Sequence, residues 1–343
     1  MRTILLALCF SFSAVCLGQD KPLEVYFVDV EGGQATLFVS PSGESMLIDT
    51  GWPGFGGRDA DRIVAAAHAA GLKQIDFVLV THYHEDHVGG VPQFAERIPI
   101  GTFIDHGPSV ETDSKTSAMV AAYNDAVSKR RHLVVKPGDK IPIKGIDIEV
   151  VTAGGEAIRR PLAGAGQANP LCNDPTPKLE DTGENARSVG VLIRYGKFLM
   201  IDLGDLTWDK ERELACPRNL VGHVSAYLST AHAHPGFGQA VMVHALAPRV
   251  AVMNNGSRKG GDPAARQIVR SSPGIQDIWQ LHFAVESREP NNAPGQFIAN
   301  PEEKCEGSPL KLTAEKDGTF TVINLRNGFS YIFFVSKHTH IVG

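Results

Sequence analysis

Thr81-His82-Tyr83-His84-Glu85-Asp86-His87-Val88-Gly89-Gly90 is the stretch on which the reading of this chain turns. It closes Asp76 to Thr81, an apolar run with strand character. Side chains two apart on an extended segment leave on the same side, so His82 and His84 face one way, while Asp86 and His87 arrive as the chain bends toward the next helix. Four ligand-type groups thus converge on one strand end. Imidazole nitrogens suit zinc, and a carboxylate beside them admits zinc, iron or manganese, so a metal centre accounts for the cluster better than unconnected loop histidines do.

The segments around it alternate between strands and helices. Glu24 to Val30, Ala35 to Val39 and Ser45 to Asp49 read as short strands. A helix enters at Asp59 and Asp61 and stops at Gly71. Later strands are Asp147 to Thr152, a hairpin of Val189 to Tyr195 and Phe198 to Leu203 turning at Gly196-Lys197, then Ala226 to Thr230 and Arg249 to Met253. This is an α/β pattern whose hairpins make the sheets mixed. Gly154 to Glu184 has no usable periodicity and reads as a functional or disordered loop. Asn291 to Glu306 reads as a linker, and Pro309 to Val335 as β-structure with a hairpin turn at Asp317-Gly318.

The chain has 343 residues, 43% apolar and 21% charged, which excludes a disordered or fibrous protein. A net charge of −5 offers no broad basic face, and Lys129-Arg130-Arg131-His132, after an Ala-rich stretch, reads as a solvated helix end. Strong non-specific nucleic-acid binding is therefore not expected. Arg2, the apolar run Ile4 to Val15 and the small Gly18 read as a secretory signal over residues 1–18, cleaved near Gly18. The expected location is then periplasmic or secreted, with no stable membrane partner. Cys172, Cys216 and Cys305 remain, enough for one disulfide and one thiol whose pairing the sequence leaves open.

His82-Tyr83-His84-Glu85-Asp86-His87 resembles the HxHxDH signature of the metallo-β-lactamase superfamily. Leu47-Ile48-Asp49-Thr50-Gly51 resembles the strand and turn that precede it. Val28-Asp29-Val30-Glu31-Gly32-Gly33-Gln34-Ala35 resembles the opening strands of the branch containing the extracytoplasmic hydrolase domain of ComEC-type DNA-uptake proteins. Asn185-Ala186-Arg187-Ser188 and Leu203-Gly204-Asp205-Leu206 fit the same branch, and coverage runs from about Leu23 to Met253. There is no multi-helix channel, so the DNA-uptake function itself is not expected. The resemblance implies an αββα sandwich of two mixed β-sheets over residues 19–290, with 291–343 as a β-rich extension packed on the same domain.

The resemblance also implies a ligand set. His82 and His84 would hold a first divalent ion, Asp86 and His87 a second, and Asp205 would bridge them, with Asp202 the competing carboxylate. Thr230-Ala231-His232-Ala233-His234-Pro235-Gly236 stands where the family has His-His-Gly. His232 is the expected last ligand, and His234 a substrate neighbour or the alternative ligand. Asn185 takes the place where many relatives have a third histidine. The expected cofactors are two zinc ions, or manganese, which would lower the pKa of a water between them and polarise the bond under attack.

Asp86 could also accept that water's proton. Asp49 is expected to orient a ligand histidine or tie down the turn at Gly51. His106 is a candidate substrate contact. His68, His132, His223, His244, His282, His338 and His340 lack partners at ligand spacing and read as structural or solvated. Three functions remain open: hydrolysis of a phosphodiester, with nucleic acid possible only as a substrate; hydrolysis of a small lactone or β-lactam; and metal binding without catalysis.

Overall fold

The computed structural model describes residues 21–173 and 180–334. The expected signal at 1–18, Val335, His338 and His340 lie outside the described residues. Two stacked sheets account for the expected strands. In the first, the order begins at Ser330–Phe333, Phe320–Asn324 and Leu310–Ala314, continues through Leu23–Phe27, Thr36–Val39 and Ser45–Ile48, and ends at Ile75–Leu79, Ile100–Asp105 and Arg131–Val134. The second is built around Asp147–Ala153, Gly190–Tyr195, Phe198–Asp202, Ala226–Leu228, Val250–Met253, Asp277–His282 and Ile298–Asn300. Both mix parallel and antiparallel pairs.

The central strands are apolar on both faces because each sheet is covered on both sides there. In Ser45–Ile48, Met46 and Ile48 point between the sheets, while Leu47 points outward under the helices Arg58–Ala69 and Ser114–Ser128. In Val250–Met253, Val250 and Val252 meet that central layer, whereas Ala251 and Met253 pack under Ala240–Leu246 and Pro263–Arg270. Three buried clusters in succession are the cores of a four-layer αββα sandwich.

Several local readings change. The helix before the basic run ends at Ser128, and Arg131–Val134 is an edge strand rather than a solvated helix end. Asn291 to Glu306 is not simply a linker, since Ile298–Asn300 joins the second sheet beside Asp277–His282, neither of which the local pattern announced. Asp277–His282 has polar residues at both ends and Ile298–Asn300 is three residues long, and both are held by parallel pairing together with burial of Trp279, Leu281 and Ala299 between the sheets. Leu310–Ala314 pairs antiparallel with Leu23–Phe27, so the C-terminal strands extend the first sheet. Cys172 is bonded to Cys216, leaving Cys305 as the free thiol among the described residues. Among those residues no helix is long and apolar enough to cross a membrane.

Candidate metal centre

The strand Ile75–Leu79 delivers Thr81, whose N–H and hydroxyl donate to the two Asp49 oxygens at 2.8 and 2.7 Å. His82 and His84 follow in extended backbone, and the short helix Glu85–Val88 then turns Asp86 and His87 inward. Gly90 lets that helix dock, because a Cβ there would lie 2.1 Å from the Thr50 carbonyl oxygen. Asp205 comes from the turn after Phe198–Asp202, and His232 from the turn after Ala226–Leu228. Ala231, His232 and Ala233 all have positive φ, of 48°, 58° and 60°. Each such non-glycine residue costs about 1–3 kcal/mol, which the surrounding contacts must offset to hold His232 in place.

The result is a nearly regular set of donor atoms. His87 Nε2 lies 3.2 Å from His232 Nε2. Asp86 Oδ2 is 3.3 Å from the first and 3.1 Å from the second, and Asp205 Oδ1 is 3.3 and 3.4 Å from the same nitrogens. Bonds of about 2.0–2.2 Å to a tetrahedral zinc-like ion imply ligand–ligand edges of about 3.3–3.6 Å, so these four atoms fit one such ion with little movement. Beside them His82 Nε2 faces His84 Nδ1 at 3.0 Å, and the His82 and His87 rings are 4.1 Å apart.

The electrostatics also call for a cation. Burial opposes the charge on Asp86 and Asp205, yet the facing imidazoles outweigh it and hold both carboxyls well below their usual range. Burial likewise opposes a charged His87, but Asp205, Asp86 and Asp49 push its pKa well above normal, so a proton stands where positive charge is needed. His82 moves the other way, kept neutral by burial and by His87. The donor set therefore fits a divalent ion on the Asp86, His87, Asp205 and His232 side.

Around the donors, His87 and His84 each have a carboxylate that orients the ring. His87 Nδ1 meets Asp49 Oδ2 at 2.7 Å, and His84 Nε2 meets Glu111 Oε1 at 3.2 Å. Asp202 touches none of the histidines. Its oxygens accept from Gln34 Nε2 at 2.9 and 3.1 Å, and burial raises its pKa to about 7. His234 is exposed on the rim, and His106 is drawn away to Glu184 at 3.1 Å rather than facing the donor cluster. Glu184 also accepts from Tyr83 N at 3.2 Å, which sets the next residue, Asn185, beside the His82–His84 segment. The buried Asn185 Oδ1 has no hydrogen-bond partner.

Lys259 was not foreseen. Its Nζ contacts Asp86 Oδ2 and sits 4.9 Å from the Trp52 ring centroid. Only the sequence Gly260-Gly261 after it hints at the reason: a Cβ on Gly260 would lie 2.1 Å from the His232 carbonyl oxygen. The loop carrying Lys259 is thus pressed against the turn carrying His232. A cavity of about 350 Å3 opens there, lined by His234, Ser257, Arg258, Lys259 and Ser287. A cavity of about 610 Å3 lies elsewhere and approaches the cluster through Tyr83 and Glu111.

Residues 28–168 match the family described as the metallo-beta-lactamase superfamily. The hydroxyacylglutathione hydrolase of Idiomarina loihiensis is 29% identical over 86 residues, which are 25% of this chain and 27% of that one. The enzyme of the same name from Klebsiella pneumoniae is 32% identical over 95 residues, 28% of this chain and 31% of that one. The chain thus spans less than a third of the length of these curated relatives. Among solved structures, a metal-dependent hydrolase of the beta-lactamase superfamily is 15% identical, with a TM-score of 0.44 over 75% of this chain and 95% of that one. Zn(2+)-bound PqqB from Methylobacterium extorquens is 14% identical, with a TM-score of 0.40 over 68% and 90%. The matched segment carries His82, His84, Asp86 and His87, and the second sheet returns Asp205 and His232 to them, so over residues 28–168 the chain is similar to the metallo-beta-lactamase superfamily.

Proposed function

We propose that the protein is a binuclear metal-dependent hydrolase of a phosphodiester or related ester, working outside the cytoplasm. The observation that carries the reading is the near-tetrahedral set of Asp86, His87, Asp205 and His232 beside the His82–His84 pair. Divalent ions held there would activate water and withdraw electrons from the bond under attack. The chain's own groups supply the rest. Asp205, facing His87 and His232, would offset part of the metal charge, and Asp49 and Glu111 fix the tautomers of His87 and His84. Asp86 would take up the proton leaving an attacking water.

An anionic substrate is favoured by Lys259, whose ammonium would be released from Asp86 when metal takes that carboxylate and would then face the cavity beside His234. The resemblance of Val28 to Ala35 to ComEC-type hydrolase domains supports a phosphodiester in particular. The relatives' name adds hydroxyacylglutathione to the candidates. Extracytoplasmic location draws support from the Cys172–Cys216 disulfide, a bond that persists in oxidising compartments.

The deciding experiment is turnover by zinc- or manganese-loaded protein of a nitrophenyl phosphodiester, a lactone, a chromogenic β-lactam and a hydroxyacylglutathione. Preference for the phosphodiester supports the proposal; preference for another member replaces the substrate class. Two bound ions without turnover of any of them would favour a non-catalytic metal-binding role. Cell fractionation tests location, and a full-length chain confined to the cytosol would refute that part.

A further inference from the structure

A second group of metal-ligating side chains lies apart from the one above and shares no residue with it. Asp29 follows the strand Leu23–Phe27, His282 ends Asp277–His282, and Cys305 lies ahead of Leu310–Ala314. His282 Nε2 is 2.8 Å from Asp29 Oδ1, Cys305 Sγ is 3.3 Å from Asp29 Oδ2, and the sulfur and the nitrogen are 3.9 Å apart. Asp29 and His282 are fully buried, and Cys305 is partly open. The sequence reading set His282 aside as lacking a partner; its partner is 253 residues away.

We propose that Asp29, His282 and Cys305 form a separate site for a zinc-like dication, bound through one carboxylate oxygen, one imidazole nitrogen and one thiolate. For bonds of about 2.0–2.1 Å to nitrogen and oxygen and about 2.3 Å to sulfur, tetrahedral edges are about 3.3–3.6 Å. The Oδ1–Nε2 and Nε2–Sγ separations bracket those values and need adjustments of about half an ångström, and one donor atom from each of the three residues lies within 4.8 Å of the others. Sulfur with imidazole selects zinc or cobalt over calcium or magnesium. The partly open side at Cys305 leaves room for water as a fourth ligand.

Arg62 is the argument against the site, because its Nη1 is 3.0 Å from Asp29 Oδ2 and its Nη2 is 3.6 Å from Cys305 Sγ. Charge balance answers it. Loading requires the thiol and the imidazolium each to shed a proton, so the dication replaces two positive charges with two and the total for the four groups is unchanged. Arg62 then remains as a donor to the outer carboxylate oxygen and the Cys305 carbonyl, at 3.0 and 3.2 Å, a placement that orients a ligand carboxylate.

Cobalt binding tests the site without reference to hydrolysis, because the His/Asp cluster contains no sulfur and Cys172 and Cys216 are bonded to each other. Titrating the full chain with cobalt should raise a thiolate-to-cobalt charge-transfer band in the near ultraviolet, saturating at one thiolate-bound ion per chain. Saturating cobalt should also slow reaction of Cys305 with a thiol reagent by about tenfold or more, which is about 1.4 kcal/mol of protection. Cys305→Ser should lose the band and one ion while keeping the ions of the His/Asp cluster. Failure of the band to appear in the unmodified protein, with Cys305 equally reactive at saturating cobalt, would overturn the proposal. So would a band that survives in Cys305→Ser, since Cys9 or Cys16 would then be its source. If Cys305→Ser does not fold, the band and the thiol protection of the unmodified protein decide alone.

Discussion

Asp49 Oδ2 lies 2.7 Å from His87 Nδ1, with both side chains fully buried, so a residue at the end of one strand fixes the ring orientation of a histidine of the donor cluster 38 residues later. The same carboxylate accepts from Thr81 N and Oγ1, which ties the two strand ends together beneath the donors. Asp49→Ala should therefore lower metal affinity by about 10–100-fold. Competition with a chromogenic chelator measures it, and unchanged affinity in a folded variant would remove Asp49 from the ligand-orienting role.

Asp205→Ala and Asp202→Ala should differ sharply. Asp205 meets both His87 and His232, whereas Asp202 is held by Gln34. Loss of a direct ligand should weaken binding by more than about 100-fold, beyond what an orienting partner costs. Elemental analysis should find about two ions per chain in Asp202→Ala, as in the unmodified protein, and fewer in Asp205→Ala. His232→Ala should likewise lose metal and His234→Ala retain it. Equal losses would mean the wrong member of each pair has been assigned.

Asn185 offers a neutral amide oxygen where an imidazole would bind more strongly, so the ion held by His82 and His84 should be the weaker. A chelator titration should remove the two ions in separate steps, and Asn185→His should delay the first. One-step loss, unaltered by the substitution, would put Asn185 outside the site.

Lys259→Ala should raise KM for an anionic substrate about tenfold, equivalent to about 1.4 kcal/mol, while leaving KM for a neutral lactone unchanged. Steady-state kinetics on the two substrates separate this from general damage, which would affect both alike.

Glu184 supplies a pH dependence of stability. Burial disfavours its charge, but donors from His106, Val110 N and Ser109 outweigh it and bring its pKa down to about 2. A depressed native pKa stabilises the fold above the unfolded value and is lost as pH falls through the native one. The difference in urea midpoint between the unmodified protein and Glu184→Gln should be full at neutral pH and close between about pH 4.5 and pH 2. A pH-independent difference would mean that Glu184 acts through shape alone.

What the sequence determined by itself is local. Two-residue spacing on a strand end, followed by one helical turn, is enough to gather His82, His84, Asp86 and His87, because backbone geometry within a few residues admits few arrangements. Apolar runs between turn residues were enough to mark most strands, and Asp317-Gly318 marked the turn between Leu310–Ala314 and Phe320–Asn324. The tertiary structure decided which distant groups complete the set. Asp202 and Asp205 are both acids at one strand end, but only stacking of the second sheet against the first brings Asp205 to His87, while Gln34 from the first sheet claims Asp202. The same stacking closes Lys259 onto Asp86, sends His106 to Glu184, and brings His282 and Cys305 to Asp29. Such pairings depend on how two layers face each other across a core, and no periodicity within either partner's own segment encodes them.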